Sequence, residues 1–216
     1  MSMKKTLLVL GVVSTAFFVL PAVASAQEIH LEPAEFFGIS GAGGELRSSA
    51  EEPITCTSTG GSGKPTNSSG TTGEATLDFT GCHTSVFSIT ASCKSEGAAT
   101  AGTIASGGTY HLIQVGSTSV PGVLLTTNLT KITCAGISTI TTTGNVIGTI
   151  TSPKCGGSSK TITLSFTATS VTQNHLTWTG GTFDLTSQTG SGAVQTSALV
   201  GSVTNTQANP GKLNCT

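Results

Sequence analysis

Two stretches of the chain alternate apolar and polar residues at every position, and this pattern restricts the fold most. The stretches are Glu74–Thr80 and Thr161–Thr167. Their apolar residues are Ala75, Leu77 and Phe79 in the first and Ile162, Leu164 and Phe166 in the second. A strand of this kind covers a core with one face and meets water with the other. We therefore expect two equivalent core strands, with these six side chains pointing inward.

The rest of the chain favours strands in the same way, because Thr fits a pleated sheet while Ser and Gly interrupt helices. Further strands are predicted at Thr109–Val115, Gly122–Thr126, Leu129–Cys134, Ser138–Thr142, Asn145–Ile150, Thr182–Thr186 and Ala193–Val200. Turns are predicted at Gly60-Gly61, Gly107-Gly108, Gly144-Asn145, Gly156-Gly157 and Gly180-Gly181. The low-complexity segment Ser58–Gly73 is predicted to be a long hairpin connection. Many short strands with such turns indicate an all-β, antiparallel β-sandwich.

A weak internal repeat is compatible with a duplicated β unit. The word ITC occurs at Ile54–Cys56 and at Ile132–Cys134, and TLDFT at Thr76–Thr80 is echoed by TLSFT at Thr163–Thr167. The offsets are unequal, about 78 and about 87 residues. Duplicated half-units and chance repetition in a Thr-rich chain both remain open.

The N-terminus has the features of a cleaved signal peptide over residues 1–26. Lys4 and Lys5 precede an apolar run from Leu7 to Val23, and Ala24-Ser25-Ala26 supplies small residues for cleavage. A membrane-spanning helix is the alternative, but the run is marginal in length and no basic cluster follows it. We expect a secreted, extracellular or cell-surface protein with no membrane span after signal cleavage. An acidic segment would cover residues 27–52 and the β-sandwich domain residues 53–216.

All six cysteines lie after the predicted signal, and an even number in an exported chain indicates disulfides. The sequence leaves the connectivity open. Short separation favours Cys82 with Cys93, and a hairpin-like stretch favours Cys134 with Cys155. Cys56 would then pair with Cys215. A zinc site is disfavoured, because no closely spaced Cys pair lies near a His.

Charge is scarce and catalytic patterns are missing. Only 9% of residues are charged and the formal net charge is −1. Nucleic acid is not expected as a partner, because phosphate binding needs clustered Lys and Arg. The histidines are dispersed, at His30, His83, His111 and His175, and no known catalytic motif contains them. Glu74 and Asp78 share one strand face and are interpreted as surface acids. The sequence predicts no enzyme, cofactor or metal; a hydrolase with an unrecognised site is the minor alternative.

Two features are candidates for ligand contact. Trp178 is the single tryptophan, and an exposed tryptophan can stack on sugars, although a buried one is commoner in a sandwich. Thr pairs recur two residues apart on strand faces, at Thr55 and Thr57, Thr139 and Thr141, and Thr161 and Thr163. Such ladders suit either an ordered binding surface or an ordinary solvent-facing strand.

The pattern ITC…TGEATLDFTGC…C…AGTI…YHLIQV…PGVLLTTN…ITC…GNVIGTI…TLSF resembles a loose family of uncharacterised secreted proteins of Gram-positive, high-GC bacteria. The resemblance covers roughly Ile54 to Phe166 and implies a disulfide-containing β fold. More weakly, the chain looks like small exported proteins described as activators of alkane oxidation. Neither family has a site motif that can be carried over to this chain.

These observations lead to one expected function and one alternative. The expected function is an exported, non-enzymatic protein that acts at or near the cell surface as a structural, adhesive or interaction module. Its partner would be a surface polymer or a protein. The alternative is a binding module for a polysaccharide or an apolar substrate such as an alkane.

Overall fold

The computed structural model describes residues 29–49, 51–116, 120–178 and 181–215, and these residues form strands, turns and loops without a helix. The predicted signal peptide, residues 1–26, lies outside the described residues. The strands in chain order are β1 Ile29–Glu32, β2 Phe37–Ser48, β3 Ile54–Thr55, β4 Ser58–Pro65, β5 Thr72–Thr80, β6 His83–Val86, β7 Ile89–Ser95, β8 Ile104–Gln114, β9 Pro121–Cys134, β10 Ser138–Ser152, β11 Ser158–Phe166, β12 Ala168–Thr169, β13 Thr172–Gln173, β14 Thr177–Trp178, β15 Gly181–Thr182, β16 Leu185–Thr189 and β17 Gln195–Cys215. The predicted all-β, antiparallel, disulfide-stabilised fold is confirmed.

Eight of the strands pair in a closed ring. The order is β2, β4, β5, β8, β9, β10, β11 and β17, and β17 then pairs again with β2. Every one of these pairings is antiparallel. The two layers expected of a sandwich are therefore joined by hydrogen bonds at both edges into one continuous sheet.

The inward side of this sheet is apolar because strand alternation places one residue in two inside. Ile162, Leu164 and Phe166 of β11 are buried, and Ala75 and Leu77 of β5 pack against the same core. The predicted inward orientation of the two alternating strands is confirmed.

Large aromatic rings fit inside because the residue beside each ring, on the neighbouring strand, is a glycine. A Cβ atom at Gly63 would overlap the Phe37 ring, and one at Gly73 would overlap the Tyr110 ring. The Phe166 ring lies against Gly148 in the same way, with its Cε1 2.6 Å from where a Cβ would lie. Pairing small with large residues is how a narrow closed sheet fills its interior.

This packing corrects the prediction for Ser58–Gly73. Its first eight residues form β4, and only the short Thr66–Thr71 connection to β5 remains a loop. Of the glycines in this segment and in the predicted turns, Gly61, Gly63 and Gly108 lie within strands where a Cβ atom would overlap a ring or the neighbouring backbone. The predicted turns at Gly60-Gly61, Gly107-Gly108 and Gly144-Asn145 are wrong for the same reason, because they lie within β4, β8 and β10.

The segment before residue 53 contributes to the sheet. β2 pairs with β17 from Phe37 to Ser48 and with β4 from Phe37 to Gly41, while β1 pairs with the last four residues of β17. The predicted domain boundary at residue 53 thus falls between β2 and β3, and hydrogen bonds cross it. The segment was predicted as an acidic lead-in from its charges, although it also contains alternating apolar residues that are buried, Ile29, Leu31, Phe37 and Ile39.

All six cysteines form disulfides, but the predicted pairs are wrong. The bonds are Cys56–Cys82, Cys93–Cys134 and Cys155–Cys215. Cys134 cannot reach Cys155, because the stretch between them contains one 15-residue strand, β10, which spans roughly 50 Å when extended. Cys82 and Cys93 do lie side by side, since the Cys93 N–H donates to the Cys82 carbonyl over 2.9 Å, yet each bonds to a cysteine outside this hairpin.

Candidate functional site

The strands β6 and β7 form a hairpin that leaves the sheet, and we call it the arm. Its outer residues pair only with each other, Thr84 to Ala91, Ser85 to Thr90 and Val86 to Ile89. At its base His83 pairs with Thr55, and Cys93 pairs with Cys134. Both sides of that base carry a disulfide, so the arm is firmly anchored to the sheet.

The tip of the arm, Val86–Ile89, is apolar and exposed. Phe87 is 95% exposed and Ile89 is 66% exposed. Phe87 and Ser88 form a two-residue turn with φ angles of 49° and 66°. Such turns prefer Asn-Gly, and a bulky residue at positive φ costs roughly 1–2 kcal/mol. Burial does not compensate for this strain, so the tip is a candidate contact surface.

This surface is difficult to recognise in the sequence. In HTSVFSITAS, between Cys82 and Cys93, Phe-Ser is not a turn-forming pair and so does not indicate a hairpin. Two apolar residues, Val86 and Ile89, flank Phe87-Ser88 symmetrically, and this symmetry is the one feature of the sequence that indicates a hairpin here.

Trp178 lies on the outer side of the closed sheet, where a second small core forms. Residues Ile113, Val115, Leu124 and Ile147 point outward there and are covered by Trp178 and Phe183. The Trp178 ring meets the His111 ring edge to face, with centroids 4.6 Å apart, and the Phe183 ring at 5.9 Å. Trp178 is partly buried in this position. Its contact with a ligand stays a prediction.

The outer face of β4 and β5 is a ladder of hydroxyl groups. The Ser58 and Thr80 hydroxyls lie 2.6 Å apart, those of Thr66 and Thr72 3.1 Å apart, and Ser62 lies opposite Thr76. Glu74 and Asp78 point outward on the same face and are exposed, as their shared strand side predicts. Because the hydroxyls bond to each other across the strands, this face is polar and locally satisfied.

The interior contains two apolar cavities, which together we call the chamber. The larger one has a volume of about 80 Å³ and the smaller one about 40 Å³. Leu77 and Leu125 line both cavities and separate them. Among the described residues, no charged side chain lines either cavity.

Three polar side chains border the smaller cavity. Asn205 and Gln207 extend inward from β17, and Tyr110 extends from β8. Burial raises the pKa of the Tyr110 hydroxyl to about 12, so the group is neutral over the physiological range. Asn205 and Gln207 were not predicted as site residues, because they lie in β17 beyond Val200, where the predicted strand ends.

The dispersed histidines are not brought together. Among the described residues no group of three or more His, Cys, Asp or Glu side chains has the spacing of a metal site. The His30 Nδ1 lies 3.3 Å from the Thr71 hydroxyl, and the His83 Nδ1 lies 3.1 Å from the Gly81 carbonyl. Within the described ranges, no helix is long and apolar enough to cross a membrane.

No known family model matches this sequence, and no curated protein or solved structure is significantly similar to it. The resemblance to secreted proteins of high-GC bacteria therefore stays a prediction.

Proposed function

We propose that this is an exported, non-enzymatic protein that acts at or near the cell surface as an interaction module. The observation that carries the proposal is the arm tip, where a strained turn presents Phe87 and Ile89 to solvent. Three disulfides and the features of a signal peptide over residues 1–26 support export.

The arm is suited to contact with a partner for three reasons. Its tip is apolar, and aromatic side chains supply much of the binding energy at interfaces. It carries no Asp, Glu, Lys or Arg from His83 to Ser92, so docking would not bury an unpaired charge. Its two disulfides fix the base, which lowers the entropy lost on binding.

The proposal is tested by co-sedimentation of the chain from Gln27 to Thr216, with disulfides intact, against purified cell walls and insoluble polysaccharides. The variant Phe87→Asn with Ser88→Gly keeps the hairpin and gives it a favoured turn. We expect it to unfold at a higher denaturant concentration and to bind at least about thirtyfold more weakly, as for loss of a hot-spot residue.

Val194→Ser is the matched control, because Val194 is another exposed apolar residue, on a different loop. It should bind like the original chain. Equal binding by the arm variant would show that the tip is not the contact surface. Hydrolysis of any of these polymers by the pure protein would overturn the non-enzymatic part of the proposal.

A second candidate function, binding of an apolar substrate, is favoured by the chamber. Most of its lining residues are Leu, Ile, Val and Phe, and the larger cavity also has four hydroxyl side chains, Ser106, Thr127, Thr130 and Thr142. Dry apolar cavities can take up apolar molecules; an engineered cavity of about 150 Å³ binds benzene. Saturable uptake of a small alkane by the disulfide-intact chain would support this function.

A further inference from the structure

The chamber has a polar end that its own fold does not satisfy. Gln207 is only 4% exposed, and neither Oε1 nor Nε2 of its amide has a hydrogen-bond partner among the described residues. The buried Oδ1 of Asn205 is likewise unpaired. Both residues line the smaller cavity. Buried polar groups are nearly always hydrogen-bonded, so an unpaired amide and an unpaired amide oxygen beside one cavity require an explanation.

Strand register explains why these amides point inward. Val203, Asn205 and Gln207 occupy every second position of β17, so they share one face of the strand, and Val203 is part of the apolar core. Asn205 pairs with Ile162 of β11 and with Ile39 of β2, and Gln207 pairs with Phe37. All these neighbours are apolar. Leu or Val at the two positions would continue the core, so the amides supply hydrogen-bonding capacity that the core does not need.

The amide of Gln207 lies directly beneath the N-terminal strand. A Cβ atom placed on Gly211 would lie 2.7 Å from Gln207 Oε1 and 2.8 Å from Leu31 Cδ1. Leu31 is buried and lines the same cavity, while its N–H donates to the Ser69 carbonyl over 3.0 Å. β1 thus covers the polar end of the chamber, and it pairs only with the end of β17.

We propose that the chamber binds a small neutral amphiphile, with its hydrogen-bonding head on the amides of Gln207 and Asn205 and its alkyl part between Leu77 and Leu125. This inference rests on the second candidate function, and it defines the chemical class of the ligand. An ionised head is excluded, because no charged side chain lines the chamber to compensate it. Alcohols and primary amides have the required donor and acceptor groups. The volumes of about 80 and 40 Å³ suit a thin chain of a few carbons.

The test compares 1-hexanol with n-hexane, two probes of equal chain length that differ only in the head. Binding to the disulfide-intact chain from Gln27 to Thr216 is measured by isothermal titration calorimetry and by the shift in thermal unfolding. We expect saturable binding of 1-hexanol, and about tenfold weaker binding in Gln207→Leu, which removes the amide hydrogen bonds. Binding of n-hexane should not weaken in that variant.

Two controls keep the result interpretable. Gln188→Leu makes the same change on β16 at a residue that lines neither cavity, where the Gln188 amide donates to the Gly192 carbonyl, and it should leave binding unchanged. Asn205→Val provides a second variant of the site in case Gln207→Leu does not fold. Leu31→Ala should speed the entry and release of 1-hexanol, because it removes the side chain that covers the polar end.

The outcomes separate the two proposals. Equal affinity for both probes, unaffected by Gln207→Leu, would overturn the amphiphile inference and keep the apolar-substrate candidate. Failure of both probes to bind would overturn both. Binding of 1-hexanol that is lost in Gln207→Leu but not in Gln188→Leu would establish the site.

Discussion

The strands β5 and β11 carry nearly the same sequence, TLDFT and TLSFT, yet their inward side chains have different environments. In β11 the side chains of Ile162, Leu164 and Phe166 are each at most 4% exposed. In β5 Ala75, Leu77 and Phe79 are only partly buried. The two strands lie on opposite sides of the closed sheet, four strands apart in either direction.

The neighbours of each strand account for the difference. Leu164 lies between Ile150 of β10 and Val203 of β17. Leu77 lies between Gly61 of β4 and Ser106 of β8, so little surrounds it, and it lines both cavities. The same strand motif thus forms a fully buried wall on one side and a partly exposed wall on the other, and both walls border the smaller cavity. Burial depends on cross-strand partners, which the motif itself does not specify.

Truncating the central leucine of each strand should give the largest contrast. We expect Leu164→Ala to lower the free energy of unfolding by about 3–4 kcal/mol, because it removes a buried side chain from between two apolar neighbours and enlarges the smaller cavity. Leu77→Ala should cost about 1–2 kcal/mol, because its side chain is partly exposed and lies between Gly61 and Ser106. Guanidinium unfolding of both variants with disulfides intact measures the difference. Equal losses would show that the two walls are equally packed.

Alkaline titration tests whether the chamber side is dry. Tyr110 has a pKa of about 12 in the folded protein and about 10 when unfolded, because burial disfavours the tyrosinate. Its contribution to stability is complete below pH 10 and is lost as the pH rises to about 12, since only the unfolded chain releases the proton in that window. The loss is up to about 2–3 kcal/mol.

The chain has one tyrosine, so ultraviolet absorbance follows this group alone. Tyr110→Phe is the control. It should remove the part of the alkaline stability loss that is due to Tyr110 and leave the part that is due to lysine titration. An ordinary tyrosine titration in the folded protein would mean that water reaches the Tyr110 end of the chamber.

Enlarging a side chain should give the smallest effect and opposite signs on the two sides. Ala75 lines the smaller cavity and lies between Gly63 and Gly108, so Ala75→Val should stabilise the protein by about 0.5–1 kcal/mol. Val203 lines the same cavity, but its Cγ1 lies close against Gly41 of β2, so Val203→Ile should destabilise the protein by about 1 kcal/mol through overpacking. Thermal unfolding of the two variants checks the signs, and stabilisation by both would contradict the contrast.

Alternation in the sequence was sufficient to predict the fold class and the inward faces of β5 and β11. It was insufficient for β4, because Gly61 and Gly63 resemble turn formers until the neighbouring backbone at Gly61 and the Phe37 ring at Gly63 are known. The exposed Phe87 and the buried Gln207 were also unpredictable. Each contradicts the preference of its residue type, and only the neighbouring strands decide which side chains are covered.

The disulfides join the cysteines in the order in which they occur along the chain, first with second, third with fourth and fifth with sixth. For a chain that crosses a membrane with its N-terminus leading, each cysteine meets its partner before the next pair emerges. An oxidase that links cysteines in order of appearance would therefore produce the native pattern directly. Such a chain needs no disulfide reshuffling to mature.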